Sequence, residues 1–503
     1  MTSVAAAIIG IGLVRSGAES GSVAATVITL ALLFVTHEVA ANWPEVTGGD
    51  RAGLTFPIGG SLDSRWPIAI ALFCAIAVAK LYARSNGGRL AKAAREDDLA
   101  ARAMGINPIT QQMVALLLSV AIVSVGASLR VYERGSILPD NFFFDYTLLT
   151  LVMLIVGGRN SVTGAVLGVG VMTVGRELTR RLGQDGYEIF GIGLDEAPLD
   201  WIFRENLQTV FFGLAMLGFM LWRPKGLIDD WELDEWLMRR LGRRTKRPAP
   251  LSEAASPTTA TLRAEGIDVH FGGFQALNSA GITASGGEVV GIIGPNGAGK
   301  TTFVNVITGM VEPSSGRFVL GDEDLTGSQA WRLSRSGLVR TFQNLRLFGA
   351  LTVTENVEVA GLVAQRHRRD EILHDADALV AEAGLWEHRH RRARELDYGN
   401  SRRLELARAA AMSPDFLLLD EPTSGMSDQE SVAMVEQVRH LAATIGAGVV
   451  VIDHDLAFIT GISDRIYVFD QGQVIAEGPP AEIQRDPRVQ AAYLGSAAET
   501  VDA

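Results

Sequence analysis

The feature that most constrains this chain is a series of apolar stretches that fills its first 222 residues. Most of them approach the roughly 20 residues with which an α-helix crosses a bilayer. The predicted spans are Val23 to Ala41, Trp66 to Tyr82, Gln112 to Arg130, Tyr146 to Val156, Val162 to Leu178 and Leu207 to Trp222. The mean hydropathy of +0.20 is also high for a wholly soluble protein. The sequence therefore predicts an all-α transmembrane segment with six crossings.

Basic residues predict how this segment is oriented. Lys80, Arg84, Arg89, Lys92 and Arg95 lie together on one side, and Arg223, Lys225 and Arg239 to Arg247 also lie on one side. Cytoplasmic loops are rich in Lys and Arg, and six crossings place both groups in the cytoplasm. Arg176, Arg180 and Arg181 then fall on the outer side, against this rule. We predict a multi-pass protein of the cytoplasmic (inner) membrane, surrounded by lipid.

Composition argues against two classes of function. The chain has 45 Lys and Arg against 57 Asp and Glu, a net charge of −12, which does not suit a surface that neutralises nucleic-acid phosphates. Its single cysteine, Cys74, excludes disulfide frameworks and cysteine-based metal sites. We therefore expect no nucleic-acid partner.

The composition changes after residue 228. Residues 243–261 mix basic residues with Pro, Ser, Thr and Ala without apolar periodicity, which is typical of a flexible linker. Short β-rich runs separated by helical stretches follow and predict an α/β domain. The predicted organisation is a transmembrane segment over 1–228 with a cytoplasmic loop near 88–108, a linker over 229–261, an α/β domain over 262–495 and a tail over 496–503.

One glycine-rich loop carries the strongest chemical signal. Gly294 to Thr302 (GPNGAGKTT) follows the apolar strand Val289 to Ile293 and opens a helix. In such a loop the backbone N–H groups surround phosphates, Lys300 offers its charge to the β and γ oxygens, and Thr301 is a ligand for Mg²⁺. The sequence therefore predicts a phosphate-loop NTPase that uses a nucleoside triphosphate and Mg²⁺.

Further polar residues follow two other apolar strands. Asp420 and Glu421 end the strand Phe416 to Asp420, which places one carboxylate near the metal and one near the attacking water. His454 follows the next strand and can reach the γ-phosphate or position water. Gln343 is a weaker candidate for contact with Mg²⁺ or water. Taken alone, a strand that ends in two acids is more often structural, and the phosphate loop reverses this preference. A single histidine after a strand is also more often structural.

In this order, these elements resemble the ATP-binding-cassette ATPases over about Leu262 to Gly495. The resemblance implies ATP hydrolysis with Glu421, His454 and Lys300 as catalytic residues and Thr301, Gln343 and Asp420 at the metal. Phe271 resembles the aromatic residue that stacks on adenine, although a core phenylalanine would fit the spacing equally well. The implied ATP-binding residues are Phe271, Gly294, Pro295, Asn296, Gly297, Ala298, Gly299, Lys300, Thr301, Thr302 and Gln343.

The segment Leu396, Asp397, Tyr398, Gly399 and Asn400 resembles the family's signature, which commonly reads Leu-Ser-Gly-Gly-Gln. In the family this helix N-terminus meets the γ-phosphate of the ATP that the partner ATPase holds. Asp397 brings a carboxylate toward a polyanion unless it turns away or is protonated. We hypothesise that the composite site using this signature is catalytically weak. The loop from Ser424 to Asp428 resembles the family's inter-subunit contact.

The charged, alanine-rich helix from Arg89 to Asn107 resembles the coupling loop with which importer permeases dock on their ATPases, although a solvated amphipathic helix would look similar. Further motifs resemble the permease and the ATP-binding subunit of branched-chain amino acid importers. The permease motifs are Thr47 to Gly49, Gly157-Gly158 with Gly164 to Gly168, and Arg223 to Leu227. The ATPase motifs are Val339 to Phe348, Tyr398-Gly with Arg402-Arg403, and Asp486 to Gly495.

The resemblance implies a permease–ATPase fusion that works with a second permease subunit, a second ATPase subunit and an extracytoplasmic solute-binding protein. Urea and short-chain amide importers share much of the pattern and are the alternative. An exporter, or an ATPase without a transport role, fits less well. Permeases of this family carry further helices ahead of the Val23 to Ala41 span, so we expect the permease part to be incomplete at its N-terminus.

Overall fold

The chain divides into two compact units in a computed structural model. The described residues are 10, 27–49, 54–55, 66–184, 188–189, 192–193, 207–229, 232–233, 247–248, 255–367, 375–426 and 428–499. One unit, called the helical unit below, comprises Met1–Arg84 and Gln112–Thr245. The other, the sheet unit, comprises Ser85–Gln111 and Lys246–Ala503. Residues 85–111 are therefore grouped with the C-terminal half of the chain.

Helices make up most of the described chain before residue 223. They are α1 (Val27–Ala41), α2 (Pro44–Thr47), α3 (Trp66–Arg84), α4 (Asn86–Glu96), α5 (Asp98–Ala103), α6 (Pro108–Arg134), α7 (Phe144–Gly157), α8 (Val162–Gln184) and α9 (Leu207–Trp222). Two short antiparallel pairs accompany them, β1 (Leu54–Thr55) with β2 (Ser136–Ile137) and β3 (Glu188–Ile189) with β4 (Ile192–Gly193). Helices α4 and α5 belong to the sheet unit.

Each predicted span lies in a helix wherever its residues are described. In the described part of the chain, α3 and α6 are long and apolar enough to cross a membrane, while α1, α9 and Tyr146–Gly157 of α7 are apolar but shorter. Helix α8 is not among them, and its C-terminal half carries Arg176, Glu177, Arg180 and Arg181. Six crossings therefore remain a prediction.

Glycine permits close backbone packing at one end of α7. A Cβ on Gly158 would lie 1.8 Å from the carbonyl oxygen of Ile228. The N–H of Leu227 donates to the carbonyl of Val156 at 2.8 Å. The glycine pair after α7 and the Arg223 to Leu227 motif, both of which carry the importer resemblance, are thus packed together.

The described ends of the predicted 229–261 linker contact the units that they adjoin. Glu232 accepts the N–H of Val162 at 2.7 Å, at the start of α8. Thr258 donates its hydroxyl to Asp415 Oδ1 at 2.8 Å, within the sheet unit. Between these ends, most of the linker lies outside the described residues, and the predicted domain boundaries stay a prediction.

Two sheets form the framework of the sheet unit. The strands are β5 (Thr261–Phe271), β6 (Phe274–Ser285), β7 (Val289–Ile293), β8 (Ser315–Leu320), β9 (Glu323–Asp324), β10 (Leu338–Arg340), β11 (Phe416–Asp420), β12 (Gly448–Ile452), β13 (Arg465–Asp470) and β14 (Gln473–Gly478). One sheet has the order β10-β11-β12-β7-β13-β14 and is parallel except for β14. The other is antiparallel, in the order β6-β5-β8-β9.

Helices connect and cover these strands. They are α10 (Lys300–Ile307), α11 (Ala330–Arg335), α12 (Val353–His367), α13 (Ala376–Glu382), α14 (Tyr398–Ala410), α15 (Asp428–Ile445), α16 (Leu456–Ile462), α17 (Pro480–Ile483) and α18 (Pro487–Glu499). Strands β7, β11 and β12 are buried along their whole length, as their unbroken apolar sequences predict. Their register pairs Asp420 with Ile452 and Ile452 with Ile292, so the three strands end side by side.

Residues 86–107, called the coupling segment below, pack into the apolar core of the sheet unit. The buried apolar residues of α4 and α5 join the same hydrophobic cluster as α12 and α14. Met104 and Ile106, which follow α5, are 1% and 2% exposed. The predicted amphipathic helix is therefore two short helices whose apolar face is covered by the sheet unit, and the alternative of a fully solvated helix is wrong.

Candidate nucleotide site and coupling segment

The glycine-rich loop follows β7 and runs into α10, as the sequence predicts. Gly294 has φ +152°, and a Cβ there would lie 2.2 Å from the carbonyl oxygen of Phe469, so only glycine fits. The loop curves around the Lys300 side chain, whose Nζ donates to the carbonyls of Gly294 (2.6 Å) and Pro295 (2.9 Å). Burial lowers the pKa of Lys300. The concave loop therefore concentrates N–H groups and one ammonium in a small space.

The other predicted residues of this loop differ in exposure. Asn296, Gly297 and Thr301 are exposed, Ala298 is buried, and Gly299 and Thr302 are half-buried. The Thr301 hydroxyl lies in the first turn of α10, beside the positive end of the helix dipole. A phosphate or a metal ion can therefore reach Thr301 from solvent.

The acidic pair at the end of β11 divides into a buried and an accessible member. Asp420 is 8% exposed, and its Oδ2 accepts a hydrogen bond from Arg340 Nη2 at 2.6 Å. Arg340 also donates to Asn305 Oδ1 at 2.8 Å. Sequence reasoning missed this buried partner of Asp420. The only signal was the position of Arg340 in the Val339 to Phe348 motif.

Glu421 is the accessible member and has an unusual backbone. Its φ is +47°, a region that residues other than glycine rarely adopt and that is enriched at functional sites. The Glu421 N–H donates to the carbonyl of Ile452 on β12 at 2.7 Å. The end of β11 is thereby fixed to its neighbour while the carboxylate turns away from the strand.

Gln343 and His454 meet Glu421 at this edge. Gln343 Nε2 donates to Glu421 Oε2 at 2.6 Å. His454 Nδ1 lies 3.8 Å from the same oxygen and 3.4 Å from Asp453 Oδ1. The structure thus brings together three residues that are up to 111 positions apart in sequence. Parallel strands that end side by side make this possible, since each contributes the residue after its last buried position.

Phe271 ends β5, and its side chain is 53% exposed. The alternative of a core phenylalanine is therefore wrong. Gly272, which follows, has φ +59° and turns the chain so that β5 pairs with β6. The ring remains available for stacking on a flat ligand.

The signature segment begins α14, and Asp397 is its N-cap. Asp397 Oδ1 accepts the Asn400 N–H at 2.9 Å, and Oδ2 accepts Asn400 Nδ2 at 2.7 Å. These bonds lower the pKa of Asp397, so the carboxylate is ionised at neutral pH. The Asp397 carboxylate thus turns toward its own helix and is not protonated, and it accepts one of the unpaired backbone N–H groups of the first turn.

The neighbours of Asp397 contact both the core and the loop after β11. Leu396 packs against the core, and Tyr398 donates its hydroxyl to the carbonyl of Ser424 at 2.7 Å. Gly399 carries no side chain at the exposed start of the helix. In the predicted inter-subunit loop, Ser427 and the side chain of Asp428 lie outside what the structure describes.

The coupling segment contacts the rest of the sheet unit through two ion pairs, to one of which it contributes an arginine and to the other an aspartate. Arg89 Nη1 lies 2.6 Å from Glu358 Oε2 on α12. Asp97 Oδ2 accepts a hydrogen bond from Arg346 Nη1 at 2.9 Å. Arg346 is three residues after Gln343, so this contact lies next to the segment that reaches Glu421.

A hydrogen bond to the backbone fixes the end of the coupling segment. Arg335 Nε donates to the carbonyl of Gly105 at 2.7 Å. Gly105 has φ +72°, and a Cβ there would lie 2.9 Å from Val363 Cγ1. Glycine is required here for both its backbone conformation and its small size.

Three family models match separate parts of the chain. The model for the permease component of the branched-chain amino acid transport system matches residues 1–220. The ABC transporter model matches 277–424, and the branched-chain amino acid ATP-binding cassette transporter model matches 473–499. The high-affinity branched-chain amino acid transport ATP-binding protein LivG of Escherichia coli K12 is 40% identical over 250 residues, which are 47% of this chain and 98% of LivG.

The chain belongs to the branched-chain amino acid ATP-binding cassette transporters. BraF of Pseudomonas aeruginosa, with the same printed role as LivG, is 38% identical over 250 residues, or 47% of this chain and 98% of BraF. A crystal structure of an ABC transporter cassette in its ADP conformation is 30% identical, covers 47% of this chain and all of that one, and has a TM-score of 0.41.

Membership in this transporter family confirms several predictions. The chain combines a helical permease part with an α/β phosphate-loop ATPase, and it is an ATP-hydrolysing transporter component that binds nucleotide. Its permease component makes it a membrane protein, and such components work in a complex with other subunits.

Proposed function

We propose that this chain imports branched-chain amino acids across the cytoplasmic (inner) membrane, as a multi-pass permease joined to its own ATPase. The observation that carries the proposal is the contact of the coupling segment with Arg346, three residues after Gln343, in the same chain as the phosphate loop and Glu421. Movement at the γ-phosphate can then reach the permease through Gln343 and Arg346. The proposed partners are a second permease subunit, a second ABC ATPase and an extracytoplasmic solute-binding protein.

In the proposed ATP site, the loop from Gly294 to Thr302 holds the phosphates and Phe271 stacks on adenine. Lys300 neutralises charge on the β and γ oxygens. Glu421 takes a proton from the attacking water, and the Gln343 amide holds its carboxylate in place. His454 is close enough to orient the same water or the γ-phosphate. Support comes from the 2.6 Å contact that joins Gln343 to Glu421.

The proposed metal is Mg²⁺, which when bound neutralises developing charge on the phosphates. Thr301, Gln343 and Asp420 provide the hydroxyl, amide and carboxylate oxygens that this hard ion prefers. The described residues contain no cluster of three or more His, Cys, Asp and Glu, which suits an ion that takes most of its ligands from phosphate and water. Arg340 orients the Asp420 carboxylate through Oδ2, and this carboxylate would be one of the residues that hold the ion.

We also propose that the composite site built with Asp397 turns over slowly. Serine and glycine donors normally face the partner's γ-phosphate in this family, whereas Asp397 is ionised and uses both carboxylate oxygens within its own helix. Replacing Asp397 by Ser keeps an N-cap, removes the charge and should raise ATP hydrolysis by the assembled complex. Unchanged hydrolysis and transport in this variant would count against the idea.

The test is ATP hydrolysis by the complex in lipid vesicles, with a solute-binding protein loaded with leucine, isoleucine or valine. We expect stimulation by a loaded amino acid, and loss of at least about 100-fold in hydrolysis on Glu421→Gln with ATP binding retained. Glu312→Gln, at an exposed carboxylate outside the site, is the control and should behave as wild type.

Urea and short-chain amides form the second arm of this experiment. Stimulation by an amide rather than by any amino acid would replace the proposed substrate and leave the importer assignment in place. A rate of ATP hydrolysis that does not change with any loaded solute would contradict the proposed import function.

A further inference from the structure

An ion pair is buried within α14, one turn after the signature segment. Arg402 and Glu405 are each 1% exposed, and Arg402 Nη1 lies 2.5 Å from Glu405 Oε2. Removing two charges from water is unfavourable unless additional hydrogen bonds satisfy them. The other hydrogen bonds of Arg402 and Glu405 therefore identify the segments that this ion pair positions.

The guanidinium of Arg402 binds the backbone of both catalytic segments. Nη2 donates to the carbonyl of Glu421 at 2.9 Å, and Nε donates to that of Pro422 at 3.3 Å. Nη1 donates to the carbonyl of Phe342 at 3.0 Å. Phe342 directly precedes Gln343, so Arg402 joins the two peptides that carry the interacting Gln343 and Glu421 side chains.

Glu405 completes the arrangement. Its Oε1 accepts the N–H of Phe342 at 3.3 Å, while Oε2 accepts from Arg402. The backbone N–H and the backbone carbonyl of Phe342 are thus each held by a charged side chain of α14. Phe342 itself is 6% exposed, so these bonds lie in the interior of the sheet unit.

We propose that the Arg402–Glu405 pair is a positioning element that links the two ATP sites of the assembled complex. This inference rests on the proposed function, in which α14 begins with the signature that faces the partner's ATP. Arg402 fixes the same helix to Glu421 and Phe342, which serve this chain's own ATP. A shift of α14 when the partner site closes therefore moves the Glu421 and Gln343 backbones with it.

The backbone of Glu421 is well suited to such control. At φ +47° its conformation is strained and persists only because its surroundings hold it. The Ile452 carbonyl fixes the Glu421 N–H, and Arg402 fixes its carbonyl. Small displacements of a general base have large effects on rate, so loss of the Arg402 contact should lower turnover far more than it lowers binding.

The first test compares Arg402→Met, Arg402→Lys and Arg403→Met in the full complex, with all rates expressed per folded complex. Arg403 is the adjacent arginine on α14 but is exposed, and its variant is the control. We expect Arg402→Met to lower the kcat for ATP at least about 10-fold and to change the KM less than twofold. Arg402→Lys should recover part of the rate, and Arg403→Met should match wild type.

The second test asks whether the link reaches the signature. With the partner ATPase inactivated at its general base, only the Glu421 site turns over. Asp397→Ala should then change the kcat of this site in an otherwise wild-type chain, and should have no effect in the Arg402→Met background. Equal effects of Asp397→Ala in both backgrounds would overturn the proposed link.

A purely structural role gives a different pattern. In that case Arg402→Met would lower the unfolding temperature and the folded yield, while kcat and KM per folded complex stay at wild-type values. If Arg402→Met does not fold, Glu405→Gln keeps the shape and an acceptor for Arg402 and should still lower kcat two- to fivefold. These assays need no transported solute, so a wrong substrate in the proposed function would leave their outcome unaffected.

Discussion

Substitutions of Asp97 can separate two contributions to the packing of the coupling segment, the cap of α5 and the ion pair with Arg346. Its Oδ1 accepts the Ala100 N–H at 2.8 Å and caps α5, while Oδ2 accepts from Arg346 at 2.9 Å. Asp97→Asn keeps an oxygen for the cap and removes the charge from the ion pair. Asp97→Ala removes both. The two substitutions therefore differ by the cap alone.

The structure sets the size of each effect. Asp97 and Arg346 side chains are 21% and 38% exposed, so solvent screens the pair and we expect it to contribute about 1 kcal/mol. Loss of an N-cap costs about 1 kcal/mol more. Since about 1.4 kcal/mol is a factor of ten, Asp97→Asn should raise the opening equilibrium of α5 about fivefold and Asp97→Ala about 30-fold.

Amide hydrogen exchange of the peptide over residues 98–106 measures this opening in the full complex in lipid. We expect exchange of this peptide to accelerate by these two factors. Arg317→Gln, which breaks an exposed pair with Asp324 in the antiparallel sheet, is the control and should leave the peptide unchanged. Equal acceleration by Asp97→Asn and Asp97→Ala would show that the cap contributes nothing.

A double-mutant cycle tests the ion pair itself. If Asp97 and Arg346 stabilise docking through each other, Asp97→Asn combined with Arg346→Gln should accelerate exchange no more than either change alone. Additive effects of the two substitutions would refute the reasoning, because they would mean that each side chain acts through other partners.

Burial raises the pKa of Glu358 above its ordinary value of 4.5, so ionisation weakens the folded state as pH rises through the raised value. Glu358→Gln should therefore keep or raise the unfolding temperature at pH 7, and the unfolding temperature of this variant should depend less on pH above 4.5. An unfolding temperature several degrees below that of the wild type at pH 7 would contradict this prediction. Phe271→Ala should raise the KM for ATP by roughly 5- to 150-fold with little change in kcat, since base stacking contributes about 1–3 kcal/mol. Phe271→Trp should restore the wild-type KM, and ATP titrations of hydrolysis measure both variants. Gly105→Ala forces a Cβ against Val363 in a left-handed conformation that costs about 1–2 kcal/mol, so solute-stimulated hydrolysis should fall while basal hydrolysis persists. Gly126→Ala is its control, because a Cβ there meets nothing within 4 Å, and an equal loss in both variants would argue against a specific role for Gly105.

Local patterns predicted the elements of this chain well. An unbroken apolar run between polar ends specifies a buried strand, and β7, β11 and β12 lie where such runs occur. The apolar stretches before residue 223 are helices wherever they are described, because apolar segments of that length satisfy their backbone groups internally. Periodicity did not predict where α4 ends and α5 begins, since this break depends on the Asp97 cap.

The sequence by itself determined the chemistry of this chain, because the phosphate loop and the acids that follow a strand depend on residue types at short spacing. Only the tertiary structure decided which charges meet. Arg340 with Asp420, Arg346 with Asp97 and Arg402 with the Glu421 backbone join residues that are 19 to 249 positions apart. Such pairs leave no mark in local periodicity, because the two partners lie far apart in sequence and only the fold brings them within hydrogen-bond distance.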